Sequence, residues 1–176
     1  MESLLVITAL GEDKPGIVDK LSETIAACNC NIIDSRMSVL GGEFAVLLMI
    51  AGKWNELTKL EDALVPASES LDLTIACKRS KVNKPSTDLM PYSVEVISID
   101  QPGIVHELAQ FFSSRNINIQ ELNTTQYAAA HSGTPMFALQ ITANIPPSTH
   151  TAGIRDELLD FCESLIMDAK MEHTRS

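Results

Sequence analysis

Two short segments carry residue types able to hold a small anionic ligand: Asp13-Lys14-Pro15-Gly16-Ile17-Val18 and Asp100-Gln101-Pro102-Gly103-Ile104-Val105. Each lies between an apolar strand pattern and a helical pattern, at what is expected to be a helix N-terminus. Unpaired N–H groups there, with the positive end of the helix dipole, suit a carboxylate. Glycine lets a ligand or a second backbone come close. Asn31 and Asn118 open the next strand, which is expected beside the first. A side-chain amide both donates and accepts, so it can meet the ammonium and the carboxylate of an amino acid. Asp13 and Asp100 are placed to cap their helices or to hold an ammonium group. The same residues also make a purely structural turn, with proline in the first helical turn, where its missing N–H costs nothing, and asparagine ending the helix.

Other chemistry has little support in the residues. His106, His131, His150 and His173 are scattered, without metal-ligand spacing. His106, one turn into the third helix, can border a ligand but reads more simply as exposed. Cys28-x-Cys30 has no second cluster and continues the apolar stripe of the first helix; Cys28, Cys30, Cys77 and Cys162 are expected as reduced, apolar fillers. Neither a nucleophile elbow nor a phosphate loop is present. Trp54, at the start of the second helix, is expected to anchor packing and to serve as a fluorescence reporter.

The elements that position the two segments repeat. Residues 13–32 laid over 100–119 match at nine of twenty positions, among them Leu21/Leu108, Asn29/Asn116, Asn31/Asn118 and Ile32/Ile119. Phe44-Ala45 recurs as Phe137-Ala138 at an offset larger by six, so the second copy carries a longer loop near 130–135. In each copy a strand (4–10; 92–99) leads into the motif and a helix follows, with apolar residues at Ile17, Val18, Leu21, Ile25 and Cys28, then at Ile104, Val105, Leu108 and Phe112. Hairpins are expected over 31–51, around Gly41-Gly42, and over 118–144. Trp54, Leu57, Leu60 and Leu64, then Ile154, Leu158, Phe161 and Leu165, mark a second helix in each copy. Strands at 71–78 and 168–172 close them. The pattern is βαββαβ twice, an α+β class of ferredoxin-like type, each sheet antiparallel with two helices on one face. Domain boundaries are expected at 1–79 and 91–176, with a Pro/Ser/Thr-containing linker over 80–90. Units this small are expected to gain stability by pairing.

The chain has 176 residues, 45% hydrophobic and 20% charged, with a net charge of −10. That composition is globular. Both halves are acidic: residues 1–90 hold 9 bases and 13 acids, and residues 91–176 hold 4 and 10. Direct nucleic-acid binding is therefore not expected, because it rests on lysine and arginine neutralising phosphates. No apolar run approaches the ~18–20 residues of a membrane span, and the N-terminus lacks a signal-peptide pattern, so a cytoplasmic location is expected.

A βαββαβ unit with Asp-x-Pro-Gly-Ile-Val after its first strand and Asn-x-Asn-Ile after its first helix resembles the ACT domain. The resemblance covers nearly the whole chain, as a tandem pair with no catalytic domain beside it. It implies a non-enzymatic regulatory module without a cofactor, binding a small amino acid such as glycine. The family's ligand positions fall here on Asp13, Lys14, Pro15, Gly16, Ile17 and Asn31, and on Asp100, Gln101, Pro102, Gly103, Ile104 and Asn118. It further implies a homo-oligomer that represses transcription through a protein partner, a LysR-type activator; the alternative is a regulatory subunit of an amino-acid metabolic enzyme. The copies differ at Lys14/Gln101 and Asp19/His106, and the second hairpin is enlarged by residues 131–135, so the two sites need not be equivalent.

Overall fold

In the computed structural model, residues 3–81, 89–147 and 149–174 are described. They form two compact units, taken separately below. Unit 1 contains β1 (Ser3–Glu12), α1 (Ile17–Ala27), β2 (Asn31–Leu40), β3 (Glu43–Gly52), α2 (Trp54–Leu71) and β4 (Thr74–Ser80). Unit 2 contains β5 (Met90–Ile99), α3 (Ile104–Ser114), β6 (Asn118–Ala128), β7 (Pro135–Ile145), α4 (Thr151–Ser164) and β8 (Asp168–His173). Most of the expected linker, including Lys84, Pro85, Ser86 and Thr87, lies outside the described residues; Ser80 closes β4 and Met90 opens β5.

Both sheets are antiparallel, ordered β2-β3-β1-β4 and β6-β7-β5-β8. This is the expected double ferredoxin-like fold, with one correction. The strand opened by Asn31 does not lie beside β1, because β3 is inserted between them, and the same holds for β6 and β5. A hairpin fixes β2 beside β3, but local pattern does not say which hairpin strand the central strand takes as its neighbour.

Period-two alternation puts Leu5, Ile7 and Ala9 of β1 on one face with Phe44, Val46, Leu48 and Ile50 of β3. Ile17, Leu21 and Ile25 of α1 and Leu57, Leu60 and Leu64 of α2 cover that face. Val94 and Val96 of β5, with Leu139, Ile141 and Ile145 of β7, do the same under Leu108 and Phe112 of α3 and Leu158 of α4. Val18 and Val105 fall off the buried stripe and are 53% and 38% exposed. Phe111 joins the unit 2 core instead, stacked on Phe161 at 5.3 Å.

The helix ends show why these residue types recur. Asn29 and Asn116 follow α1 and α3 with φ near 58° and 56°. Asparagine tolerates this left-handed conformation. It lets Cys30 N–H reach back to Ile25 O at 3.3 Å and Ile117 N–H reach Phe112 O at 3.0 Å. α2 runs through Pro66 to Leu71, the first residue of the stretch expected as strand. Asp72, at φ 54°, ends it before β4 begins at Thr74. Pro66 removes one helical donor, while the buried Leu64 and Ala67 on either side keep that turn against the sheet.

Two expectations about packing are corrected. Trp54 is no core anchor but 70% exposed, with the Arg79 guanidinium 5.7 Å from its ring centroid. Arg79 in turn donates to Glu61 at 2.9 and 2.7 Å and to Thr58 at 3.0 Å, so the indole lies over a surface ion pair. Cys162 is a true filler whose thiol burial pushes up to about 11. Cys28 and Cys30 pack half-buried at the edge of the core, whereas Cys77 on β4 is exposed.

Glu56 ties the two helices of unit 1 together. Its carboxylate accepts from Lys53 N–H at 2.8 Å and from Asn29 Nδ2 at 2.8 Å. Lys53 has no acceptor to offer in return, so only half of a capping box forms at α2. Main-chain donation from Lys53, then the Asn29 amide, holds the Glu56 carboxyl below its ordinary range. A carboxyl depressed in the folded state adds stability above its unfolded pKa and loses it as pH falls through its folded pKa. Glu56→Gln is therefore expected to lower the Tm at neutral pH, and the gap to the unaltered protein should close on titration below the ordinary glutamate range. An equal gap at neutral and acid pH in paired melting curves would contradict this.

Candidate functional site

β1 ends at Glu12 and α1 begins at Ile17, leaving Asp13–Gly16 to turn the chain; residues 100–103 do the same between β5 and α3. The turn is tied to the neighbouring hairpin through its main chain: Asp13 N–H donates to Gly42 O at 3.0 Å, and Asp100 N–H to Pro135 O at 3.0 Å. The equivalence survives the longer second loop, since Pro135 stands where Gly42 stands in the first copy.

Gly16 and Gly103 are the N-cap residues, with φ of 92° and 98°. Their carbonyls accept the first helical bonds, from Lys20 N–H at 2.9 Å and Glu107 N–H at 3.0 Å. A Cβ added at either glycine would meet nothing within 4 Å. Glycine is required here for its backbone angle, and the space above it is open. Pro15 and Pro102 precede the cap and so stand outside the helix, not in its first turn as expected. Their fixed φ shapes the approach to the cap instead.

Among the described residues, no side chain caps either helix. Asp13 and Asp100 are thus not caps, and the first N–H groups of α1 and α3 point out of the helix without a side-chain acceptor. Ile17 and Ile104 are 2% and 4% exposed, so their side chains root the helix start in the core and only their main-chain N–H groups face the turn. Lys14 pairs with Glu12 at 3.0 Å, and hydrogen bonding and attraction to that carboxylate raise its pKa. Gln101, Pro102 and His106 are exposed.

The two turns differ in one contact that sequence reasoning missed. Gln126 Nε2 of β6 donates to the Asp100 carboxylate. The equivalent position in β2 is Val39, which cannot donate, and no hydrogen bond or ion pair engages the Asp13 side chain among the described residues. The glutamine/valine difference can be read from the aligned repeat, but its meaning appears only once β6 is known to end beside the turn.

Asn31 and Asn118 are not brought to the turns of their own units. Asn31 pairs with Ala51, which pairs with Leu4; Asn118 pairs with Asn144, which pairs with Pro91. Both lie at the start of the central strand, whereas the turns lie at its end. Eight residues at ~3.3 Å each separate the two levels by roughly 26 Å. Among the described residues, no group of His, Cys, Asp or Glu is arranged to hold a metal ion, and no helix is long and apolar enough to cross a membrane.

The ACT-domain family model matches residues 3–78. The glycine cleavage system transcriptional repressor of Escherichia coli K12 is 36% identical over 163 residues, which span 92% of this chain and 85% of the repressor. A crystal structure provisionally described as a glycine cleavage system transcriptional repressor superposes with a TM-score of 0.76 at 27% identity, covering 100% of this chain and 99% of that one. A crystal structure of a Galdieria sulphuraria protein shares the fold, with a TM-score of 0.84 at 24% identity over 99% of this chain and 100% of that one. With the paired βαββαβ units and the twice-built glycine turn, these matches establish that the chain belongs to the ACT-domain family, as a tandem ACT protein of the glycine cleavage system transcriptional repressor type.

Proposed function

We propose that the chain is a non-enzymatic regulator that senses a small amino acid, with glycine the first candidate, and represses transcription of glycine cleavage genes by contacting a DNA-binding activator of LysR type. The observation carrying this reading is the 36% identity to the Escherichia coli repressor across 92% of the chain. The uncapped helix starts at Gly16 and Gly103 support the ligand part. Main-chain N–H groups of residues 17–18 and 104–105 would receive the carboxylate, and Asp13 would attract the ammonium. The dipole supplies about 0.3–1 kcal/mol when exposed and up to ~2 when partly buried. Direct hydrogen bonds and closure of further surface over the ligand must add the rest. Asn31 and Asn118, far from the turns within their units, are tested separately by Asn31→Ala and Asn118→Ala.

The partner part is supported by charge. With a net charge of −10 and both halves acidic, the chain is poorly suited to gripping phosphates itself. We place it in the cytoplasm, as two ACT units at 1–79 and 91–176 joined by the 80–90 linker, without a cofactor. Gel shifts with the purified chain and glycine cleavage control DNA should stay blank at physiological salt. Affinity capture with the tagged chain should recover a LysR-type transcription factor. A sequence-dependent band with the chain alone, or capture of an amino-acid biosynthetic enzyme in place of the factor, would contradict the proposal.

A further inference from the structure

The two turns are anchored alike but finished differently. In each, the main chain ties the turn to its hairpin, from Asp13 N–H to Gly42 O at 3.0 Å and from Asp100 N–H to Pro135 O at 3.0 Å. With that anchor in both copies, neither turn needs a side-chain contact to hold its place. Unit 2 nevertheless adds one: the exposed Gln126 of β6 donates from Nε2 to the Asp100 carboxylate. Gln126 pairs with Phe137 of β7 as Val39 pairs with Phe44 of β3, so the two residues hold the same place in the two sheets. Directly paired residues share a sheet face. Phe44 is buried in the core that α1 covers, so position 39, and position 126 in the second copy, stand on the face where the first helix of the unit starts. Valine has no donor, and among the described residues no hydrogen bond or ion pair engages the Asp13 side chain.

We infer, on the reading that an amino acid docks at these turns, that Gln126 makes the two sites unequal and is the residue that sets their order of filling. An α-amino acid brings a carboxylate for the helix N–H groups and an ammonium for the neighbouring aspartate. At the Gly16 turn the ammonium meets a carboxylate with its lone pairs open. At the Gly103 turn it meets a carboxylate already holding an amide, and the Gln126 side chain bridges from β6 to the turn where the ammonium would lie. Binding there must break a hydrogen bond to a charged group, which is stronger than one between neutral groups. The cost weakens the second site about tenfold or more. The chain therefore answers a rising amino-acid concentration through unit 1 first, and unit 2 fills in a separate, higher range.

Calorimetric titration of the full chain with glycine, alanine and serine tests this. The unaltered chain is expected to bind one amino acid at a first site and another at least about tenfold more weakly, and Gly16→Val should leave only the weaker site. Gln126→Val gives unit 2 the residue of unit 1 and should bring the second site to within about threefold of the first, as should Gln126→Ala. Val39→Gln should weaken the first site about tenfold. Positions 39 and 126 are both exposed, so unchanged ligand-free melting curves are expected beside these shifts. Two sites of equal affinity in the unaltered chain, or a second site that both Gln126 variants leave weak, would overturn the inference while docking at the turns still stood. A tight site that survives Gly16→Val would overturn it as well. No heat with any of the three amino acids would remove both the inference and the reading it rests on.

Discussion

Gly16→Val and Gly103→Val are each expected to lower the stability of their unit by about 1–3 kcal/mol and to abolish amino-acid binding at that turn. The first effect follows from φ near 92° and 98°, angles that a β-branched residue avoids. The second follows from the open space above each glycine, which the isopropyl group would fill. Gly16→Ala and Gly103→Ala separate the two. An added Cβ meets nothing, so alanine bears the backbone strain with far less obstruction. Calorimetric affinity and ligand-free melting curves on all four variants should show lowered melting for both residue types and the greater loss of affinity for valine. Affinity unchanged in both valine variants would remove the turns as binding sites. Because Asp100 is engaged by Gln126 and Asp13 has no such partner, the Gly16 variant is expected to lose more binding than the Gly103 variant.

Phe112→Ala should cost about 3–5 kcal/mol. Phe112 is fully buried between α3 and the β5–β7 sheet, with its ring edge-on to Phe111 at 5.4 Å. Small domains are stable by only about 5–15 kcal/mol, so this one truncation should remove a large share of the stability of unit 2. Val105→Ala, on the exposed side of the same helix, should move stability by no more than ~0.5 kcal/mol. Denaturant melts reporting comparable losses for the two would show that the buried stripe of α3 is misassigned.

The contrast between Phe112 and Val105 marks one limit of the sequence: both were expected on the apolar face of α3, and Val105 is 38% exposed. Apolar spacing located every helix and strand, and the aligned motifs located both turns, because these are local properties of the chain. Adjacency was not legible: nothing in the residues 31–40 says that β3 separates β2 from β1, so Asn31 was expected near the turn and lies at the other end of the sheet. Trp54 misled for a related reason, since an indole at a helix start packs inward or, as here, outward over an arginine. The Asn-x-Asn motif divided its roles. Asn29 and Asn116 are explained by left-handed helix ends, a requirement of the fold that needs no ligand. The Asp100–Gln126 contact depends on two strands meeting at one corner of the sheet, which no aligned pair of repeats discloses.

Ligand sensing at the turns is tested most directly by calorimetric titration of the full chain with glycine and the other small amino acids, paired with Tm at rising ligand concentration. A ligand that binds only the folded chain must raise stability as RT ln(1 + [L]/Kd). Saturable heat is expected for at least one of these amino acids, with a Tm that climbs with its concentration, both lost in the double variant Gly16→Val with Gly103→Val. No heat and an unmoved Tm across the whole set, with the chain folded, would contradict ligand sensing at the turns.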